Sequence, residues 1–417
     1  MPGQDIAKLI SQARENPKYS LPGPFYSDHA IFAGDVKAIF ERQWLLVGHA
    51  SRIPEPGQYF VTEIAAESIV VVRESPKQIN AFYNVCRHRG SRICLDDEGK
   101  KKRLICPYHA WTYGLDGELI RARYMAEDFN PAQFGLHRCS LHEWHGLLFV
   151  YLGSNPPDFE DTYGDVEPLA LLQGYSKARM TDRRVYPTHA NWKLVVENFI
   201  ECYHCQPAHR EYCSVHSADK LLAFGAGSGS GPQEAVERFA PVMEAWNSRA
   251  QALGYPVGTF GGGNDVTLHQ GARFPIKDEN WVSETMDGKP ACDLPMGEFT
   301  TTDGGQTAIS FNPLSIVLAS NDHAVMFRFI PRGVLHTDLE LTWLVHADAV
   351  EGENYHLEHL TAVWDITTIQ DKTITQNNQA GALSKHYQPG PYSTLEGRNI
   401  TINKWYLEQL AAHFSDG

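Results

Sequence analysis

Long apolar runs are missing from this chain of 417 residues. No stretch approaches the roughly 20 consecutive apolar residues of a membrane-spanning helix, so no membrane partner is expected. The first residues, Met1-Pro2-Gly3-Gln4-Asp5, carry no basic segment followed by an apolar one, so no secretory leader is expected either. Basic charge is in short supply. Against 50 Asp and Glu stand 36 Lys and Arg, for a formal charge of −14 and an isoelectric point near 5.7. That balance argues against nucleic acid as a partner. The 8 cysteines do not read as a disulfide framework. Cys86 and Cys106 each stand close to a histidine, Cys202 and Cys205 flank His204, and the others are scattered, so free thiols in a reducing cytoplasm are expected. A dinucleotide fingerprint is missing as well. Gly225-Ala226-Gly227-Ser228-Gly229-Ser230-Gly231 leads into Pro232 with no β-type run before it. It reads as a loop, as does Gly261-Gly262-Gly263.

What is present is chemistry-bearing. Cys86-x-His88 and Cys106-x-x-His109 are separated by a stretch of hairpin length. Two thiolates and two imidazoles are the set a Rieske 2Fe–2S centre requires, with cysteines on one iron and histidines on the other. Neutral histidines raise the reduction potential, which suits a cluster that accepts electrons from a ferredoxin or reductase and passes them on. Each pair sits among loop formers: Arg89-Gly90-Ser91 follow the first, and Pro107 and Tyr108 lie inside the second. Loop tips can aim backbone N–H groups at sulfur where a helix would turn them inward. The competing reading is a Cys2His2 zinc site. That would need a helical His-x3-5-His arm, whereas each cysteine here is paired with its own histidine. The full run Cys106-Pro107-Tyr108-His109-Ala110-Trp111 favours the cluster. With no flavin or nicotinamide fingerprint, reducing power from NAD(P)H would arrive through a separate reductase. Lys100-Lys101-Lys102-Arg103, between the loops, reads as a solvated hairpin tip, with docking of an acidic electron donor as the alternative.

A second constellation runs from Asn191 to His209. Trp192, Val195, Val196 and Phe199 recur at helical spacing, so a buried amphipathic helix is expected. Glu201 and His204 are three apart and share a face. Pro207 ends or bends the helix and brings His209 round from the next turn. Two histidines so placed can hold one face of a non-haem iron(II). A carboxylate from elsewhere would complete a 2-His-1-carboxylate set and leave positions open for O2 and substrate. Taken alone, His204 and His209 read better as ordinary core or surface histidines among the 19 of this chain than as ligands. The upstream pairs tip the balance, because a cluster that delivers electrons needs an acceptor.

Apolar spacing predicts helices over 5–15 and 34–46. From about Val47 the pattern becomes β-type, with runs at 59–62, 69–72 and 147–152 punctuated by Pro56-Gly57 and Asp116-Gly117. Residues 42–155 therefore read as a small all-β domain, with Asn155-Pro156-Pro157-Asp158 as its boundary. Beyond it, helices mix with strands at 315–318 and 324–329.

From Trp44 through Tyr406 the chain resembles the oxygenase component (α subunit) of Rieske non-haem iron oxygenases. The family pattern Asn-Trp-Lys…Glu-Asn-x…(Asp/Glu)-x-x-His-x4-His is met at Asn191, Trp192, Lys193, Glu197, Asn198, Glu201, His204 and His209. Where the family commonly has Asp, this chain has Glu201. The Glu201-Cys202-Tyr203-His204-Cys205 version, with Asn377-Asn378-Gln379 and the run from Tyr387 to Glu396, is similar to the subgroup that oxidises quaternary ammonium compounds such as choline, glycine betaine and stachydrine.

The resemblance implies an α+β architecture. An all-β Rieske domain would precede a helix-grip catalytic domain at 156–417, a curved antiparallel sheet wrapped around helices, with residues 1–41 as a helical segment packed on the latter. It implies a third iron ligand on a C-terminal helix, which within 363–372 favours Asp371 over Asp365. It also implies Asn198 beside the iron, and Glu201 as a carboxylate linking an iron histidine to a cluster histidine of the neighbouring subunit in a head-to-tail homotrimer. The expected activity is that of a terminal oxygenase using O2 to hydroxylate a small substrate, foremost a quaternary ammonium compound, by N-demethylation or C-hydroxylation. One alternative is attack on an aromatic ring or aromatic carboxylate. Such a substrate calls for an Arg or Lys facing the pocket, where an ammonium calls for an aromatic cage. The other is a non-catalytic Rieske electron-transfer protein, against which His204, His209 and the large second domain stand.

Overall fold

The structure is a computed structural model and describes residues 3–224, 231–262 and 267–415. Residues 225–230 of the first glycine-rich segment, and Gly263 of the second, lie outside the described residues. The chain divides into two units, Trp44–Pro156 and Met1–Gln43 with Pro157–Gly417.

The smaller unit is all β. Its largest sheet runs in the order Gln78–Tyr83, Glu67–Ser75, Gln58–Ile64, Glu98–Lys100, all antiparallel. Two smaller sheets join Leu45–His49, Leu147–Tyr151 and Ser140–Trp144, and Leu104–Ile105, Thr112–Tyr113 and Leu119–Arg121. Side chains of the four-stranded sheet and of the sheet spanning 104–121 meet in one core that includes Val70, Val72, Phe82, Trp111 and Tyr113 together with Cys86 and Cys106. The thiols are thus anchored in the core while their loops reach the surface.

The expected helix over 34–46 is corrected. The helix is His29–Ala38, started by Asp28, whose carboxylate accepts from Ala30 N and Ile31 N at 2.8 and 3.2 Å. Leu45 and Leu46 already belong to a strand. A short, fully apolar run carries no period, so helix and strand look alike there.

The larger unit is built on a seven-stranded antiparallel sheet. Its order is Ala178–Thr188, His336–His346, His323–Gly333, Ser315–Ala319, Gly305–Asn312, Gln270–Pro275 and Gly258–Phe260. The helix Trp192–Phe199 packs on the strands His323–Gly333 and His336–His346, and the 26-residue helix Leu357–Ala382 packs beside it. The long helix buries Leu360, Val363, Trp364, Thr367, Thr368, Asp371, Thr375 and Gln379, a stripe at three- and four-residue spacing. Asp371 sits in that stripe. The N-terminal helix Gly3–Glu15 and His29–Ala38 both pack on the C-terminal helix Gly397–Ser415.

The Asn-Trp-Lys motif turns out to be a structural clamp. Asn191 caps its helix through Lys193 N at 3.1 Å and donates to Val334 O at 2.7 Å. Trp192 Nε1, Lys193 Nζ and Tyr406 OH all donate to the Asp35 carboxylate, at 2.9, 2.5 and 2.8 Å. Lys193 and Asp35 are both buried. Removing one member of a buried pair leaves an uncompensated charge, so Asp35→Leu is expected to cost about 3–5 kcal/mol of stability. Combining it with Lys193→Met should restore most of that loss in chemical denaturation. Beside this pair, burial pushes the Glu197 carboxyl up to about 7, with Tyr26 OH donating to it. A folded pKa above that of the unfolded chain means the group's contribution is full below about 4.5 and is lost as the pH rises through about 7. Between about pH 5 and 8, wild type should therefore lose thermal stability relative to Glu197→Gln.

Candidate metal centres

The two thiol–imidazole loops have the same local build. Cys86 N donates to Ser91 O at 2.9 Å and Gly90 N returns to Cys86 O at 3.0 Å. Cys106 N donates to Trp111 O at 2.8 Å and Ala110 N returns to Cys106 O at 3.0 Å. Gly90 and Ala110, at equivalent positions, both take the left-handed conformation, with φ of 76° and 56°. This conformation costs glycine little and alanine roughly 1–2 kcal/mol, which the tight second loop must offset.

Both cysteines are buried, whereas His88 and His109 are exposed. The imidazoles converge with Nδ1 atoms 3.2 Å apart. His88 stacks on Trp111, ring centroids 4.9 Å apart and planes within 11°. Burial raises the Cys86 thiol, while Tyr113 OH, 3.3 Å from its Sγ, and the His88 N–H favour the thiolate. Among the described residues, only His204, His209 and Asp371 bring three ligand atoms close enough for one metal ion. The cysteine–histidine pairs therefore do not gather about one point as a Cys2His2 zinc site would. Buried sulfurs behind and solvent-facing imidazoles in front fit a two-iron cluster. In the lysine run, Lys100 pairs with Glu55 at 2.5 Å and Lys101 lies 5.3 Å from the Tyr59 ring centroid. Lys102 and Arg103 face solvent.

The second centre departs from the expected single helix. The helix ends at Phe199, and Glu201 to His204 form a separate turn before the short helix Cys205–Ala208. Glu201 holds that turn. Its Oε2 accepts from the backbone N–H of Tyr203 and of His204, while Oε1 lies 2.5 Å from His204 Nδ1. The pairing with His204 thus exists, but it comes from a carboxylate-capped turn and not from a helical face.

His204, His209 and Asp371 present one ligand atom each, all within 4.8 Å of one another. His209 Nε2 lies 2.8 Å and His204 Nε2 3.3 Å from Asp371 Oδ1. Each imidazole is oriented through its other nitrogen, His204 by Glu201 and His209 by Gln370 Oε1 at 2.8 Å. Gln370 Nε2 in turn donates to Glu211 at 2.9 Å. Protonated Nδ1 on both rings leaves both Nε2 lone pairs for a metal. Burial lowers the His204 pKa, but the bonds to Asp371 and Glu201 outweigh it and carry it up to about 10. Burial raises the Asp371 carboxyl, but the two histidines hold it below the usual carboxylate range. An attraction strong enough to retain a proton among these groups also favours a divalent cation, and the donor set is that of a non-haem iron(II) site. Asn198 Nδ2 lies 3.3 Å from His204 Nε2, at the edge of this set.

Asp365 goes elsewhere. Its carboxylate accepts from Tyr186 OH at 2.5 Å and pairs with Arg184 at 3.0 Å. The sequence pattern pointed to neither Gln370 nor the Tyr113–Cys86 contact. The position of Gln370, next to an acid on the buried stripe, is the one sequence signal for it.

A cavity of about 260 Å3 opens in front of the three ligand-type residues. Its walls include Phe199, Tyr212, Phe274, Phe329 and Trp364.

Residues 176–412 match the ring hydroxylating alpha subunit (catalytic domain) family, and residues 43–143 match the Rieske 2Fe-2S domain family. The glycine betaine monooxygenase oxygenase subunit of Pseudomonas aeruginosa is 36% identical over 395 residues, 94% of this chain and 89% of that protein. The protein of the same name from Chromohalobacter salexigens is 38% identical over 395 residues, 94% and 86% of the two chains. A solved quaternary ammonium Rieske monooxygenase, studied for carnitine oxidation by gut microbiota and inter-subunit electron transfer, shares the fold with a TM-score of 0.69. It is 21% identical, over 99% of this chain and 98% of its own. The chain therefore belongs to the Rieske non-haem iron oxygenases, as an oxygenase subunit that receives electrons from a separate reductase through a 2Fe–2S cluster and uses O2 at a mononuclear iron.

Proposed function

We propose that this oxygenase N-demethylates a small quaternary ammonium compound. In this reading Cys86, Cys106, His88 and His109 hold the cluster, and His204, His209 and Asp371 hold the iron. The observation that carries the reading is the aromatic lining of a small cavity beside the triad. Phe199 and Phe329 lie 5.1 Å apart, Tyr212 and Trp364 5.5 Å, as ring centroids. A trimethylammonium group has no N–H to donate, so aromatic faces are the surface that recognises it. The full-length likeness to glycine betaine monooxygenase subunits supports the same class.

Bound iron supplies O2 activation, with two electrons delivered singly. The balance is one N–CH3, one O2, two electrons and two protons giving N–CH2OH and water. The hydroxymethyl ammonium then loses formaldehyde and a proton to leave the tertiary amine. The protein's own part is positioning. His204 and His209 keep fixed tautomers, the aromatic wall seats the methyl group, and burial of the triad limits water. Ring hydroxylation of an aromatic substrate is the rival outcome. A screen with a generic reductase that scores formaldehyde and ring-hydroxylated products together separates them. Formaldehyde from a trimethylammonium substrate supports the proposal, and ring products alone refute it.

The assembly belongs to the same proposal: a homotrimer in the cytoplasm, with Glu201 linking His204 to a cluster histidine of the adjacent subunit. The solved neighbour studied for inter-subunit electron transfer supports it. At saturating iron, Glu201→Gln should keep both metal centres loaded. An amide can offer its oxygen to His204 Nδ1, but its NH2 then faces the N–H groups of Tyr203 and His204, donor against donor. Single-turnover oxidation of the reduced cluster with substrate present should slow roughly 10- to 100-fold. A wild-type rate would remove Glu201 from the electron path.

A further inference from the structure

Three cationic side chains besides histidine line the cavity: Lys220, Arg273 and Arg398. Two have an acid acting on them within the protein, Arg273 directly and Lys220 through His216. Arg273 is buried against Asp303, with N–O distances of 2.9 and 3.2 Å. Lys220 Nζ lies 2.9 Å from His216 Nδ1, and His216 Nε2 lies 2.9 Å from the buried Glu284. Arg398 differs. Among the described residues its hydrogen-bond partners are Gln270 Oε1 at 2.8 Å and Ser310 Oγ at 3.4 Å, both neutral. Desolvation disfavours its charge, and among the described residues no acidic neighbour acts against that. A guanidinium has five N–H donors and cannot shed its charge at neutral pH. A desolvated cation with no counter-ion among the described residues is costly, and the protein holds it on the wall of the cavity lined by His204, His209 and Asp371.

We propose that Arg398 is the carboxylate anchor of this pocket and the residue that selects amino-acid betaines over quaternary alcohols. The inference rests on the demethylation reading above and adds to it. The aromatic wall takes the trimethylammonium end, and the guanidinium takes the carboxylate through a forked pair of N–H bonds. Gln270 and Ser310 then act as positioning residues, holding the planar group so that its free edge meets the substrate.

The test uses the full-length protein carrying both metal centres, with four probes whose binding is measured by calorimetry. Glycine betaine and 4-(trimethylammonio)butanoate carry both charges at two spacings. Choline carries the cation alone, and 3,3-dimethylbutanoate carries the carboxylate alone on the same carbon shape. Arg398→Met should weaken the better-bound betaine and 3,3-dimethylbutanoate by roughly 10- to 100-fold, the size of a lost charged hydrogen bond. Choline affinity should stay within about threefold, and Arg398→Lys should recover part of the carboxylate affinity. An equal loss for all four probes would mark a merely structural arginine and overturn the proposal. So would no loss, or a wild type that binds no carboxylated probe. Formaldehyde release separates this inference from the reading beneath it. If wild type demethylates none of the trimethylammonium probes, yet carboxylate binding still depends on Arg398, the anchor stands and the demethylation reading falls.

Discussion

Asp371→Ala is expected to remove the mononuclear iron and reduce turnover to background while leaving the cluster's visible and EPR spectra unchanged. Asp371 Oδ1 is the point on which both imidazoles converge, and no second carboxylate of the long helix shares it. Loss of an outer-shell partner costs roughly 10- to 100-fold in metal affinity, and loss of a ligand should cost more. Asp365→Ala is the informative control. It removes the acceptor of Tyr186 and Arg184, so it should lower stability by about 1–3 kcal/mol and still keep the iron. Iron retained in Asp371→Ala and lost in Asp365→Ala would reverse the assignment.

The second large effect concerns the cluster. Substituting Cys86 or His109 should abolish the reduced Rieske EPR signal and all reductase-driven turnover, leaving one iron per chain in place of three. The buried sulfurs and the solvent-facing imidazole pair lie on two loops of matching hydrogen-bond pattern, so a change in one loop should not unfold the other. Stoichiometric zinc without acid-labile sulfide would contradict the assignment.

Much of this was legible from local pattern. Paired ligands at fixed spacing announce a metal centre because the chemistry demands those residue types close together. The runs at 59–62 and 69–72 fall within strands because β-branched and aromatic residues cluster there between turn signals. What could not be read was long-range. Asp35 closes the Lys193 pair from 158 positions away. Gln370 orients His209 from 161 away. Arg398 joins the pocket from the C-terminal helix, and no spacing rule connects it to His204. The break after Phe199 was missed for a different reason. The apolar period supports a helix up to that residue, and what replaces it is a carboxylate capping its own turn, which competes locally with the helix. The choice between Asp365 and Asp371 did have a usable signal. Asp371 continues the stripe Leu360, Trp364, Thr367, and Asp365 sits to its side.

The account stands or falls on coupling the two centres to demethylation. The direct measurement is a single turnover: protein with its cluster and iron reduced by dithionite, freed of reductant, then mixed with O2 and a trimethylammonium carboxylate. The account predicts formaldehyde approaching one per mononuclear iron, formed as the cluster oxidises and absent in Asp371→Ala. Cluster oxidation without formaldehyde, while an aromatic carboxylate yields a ring-hydroxylated product under the same conditions, would contradict it.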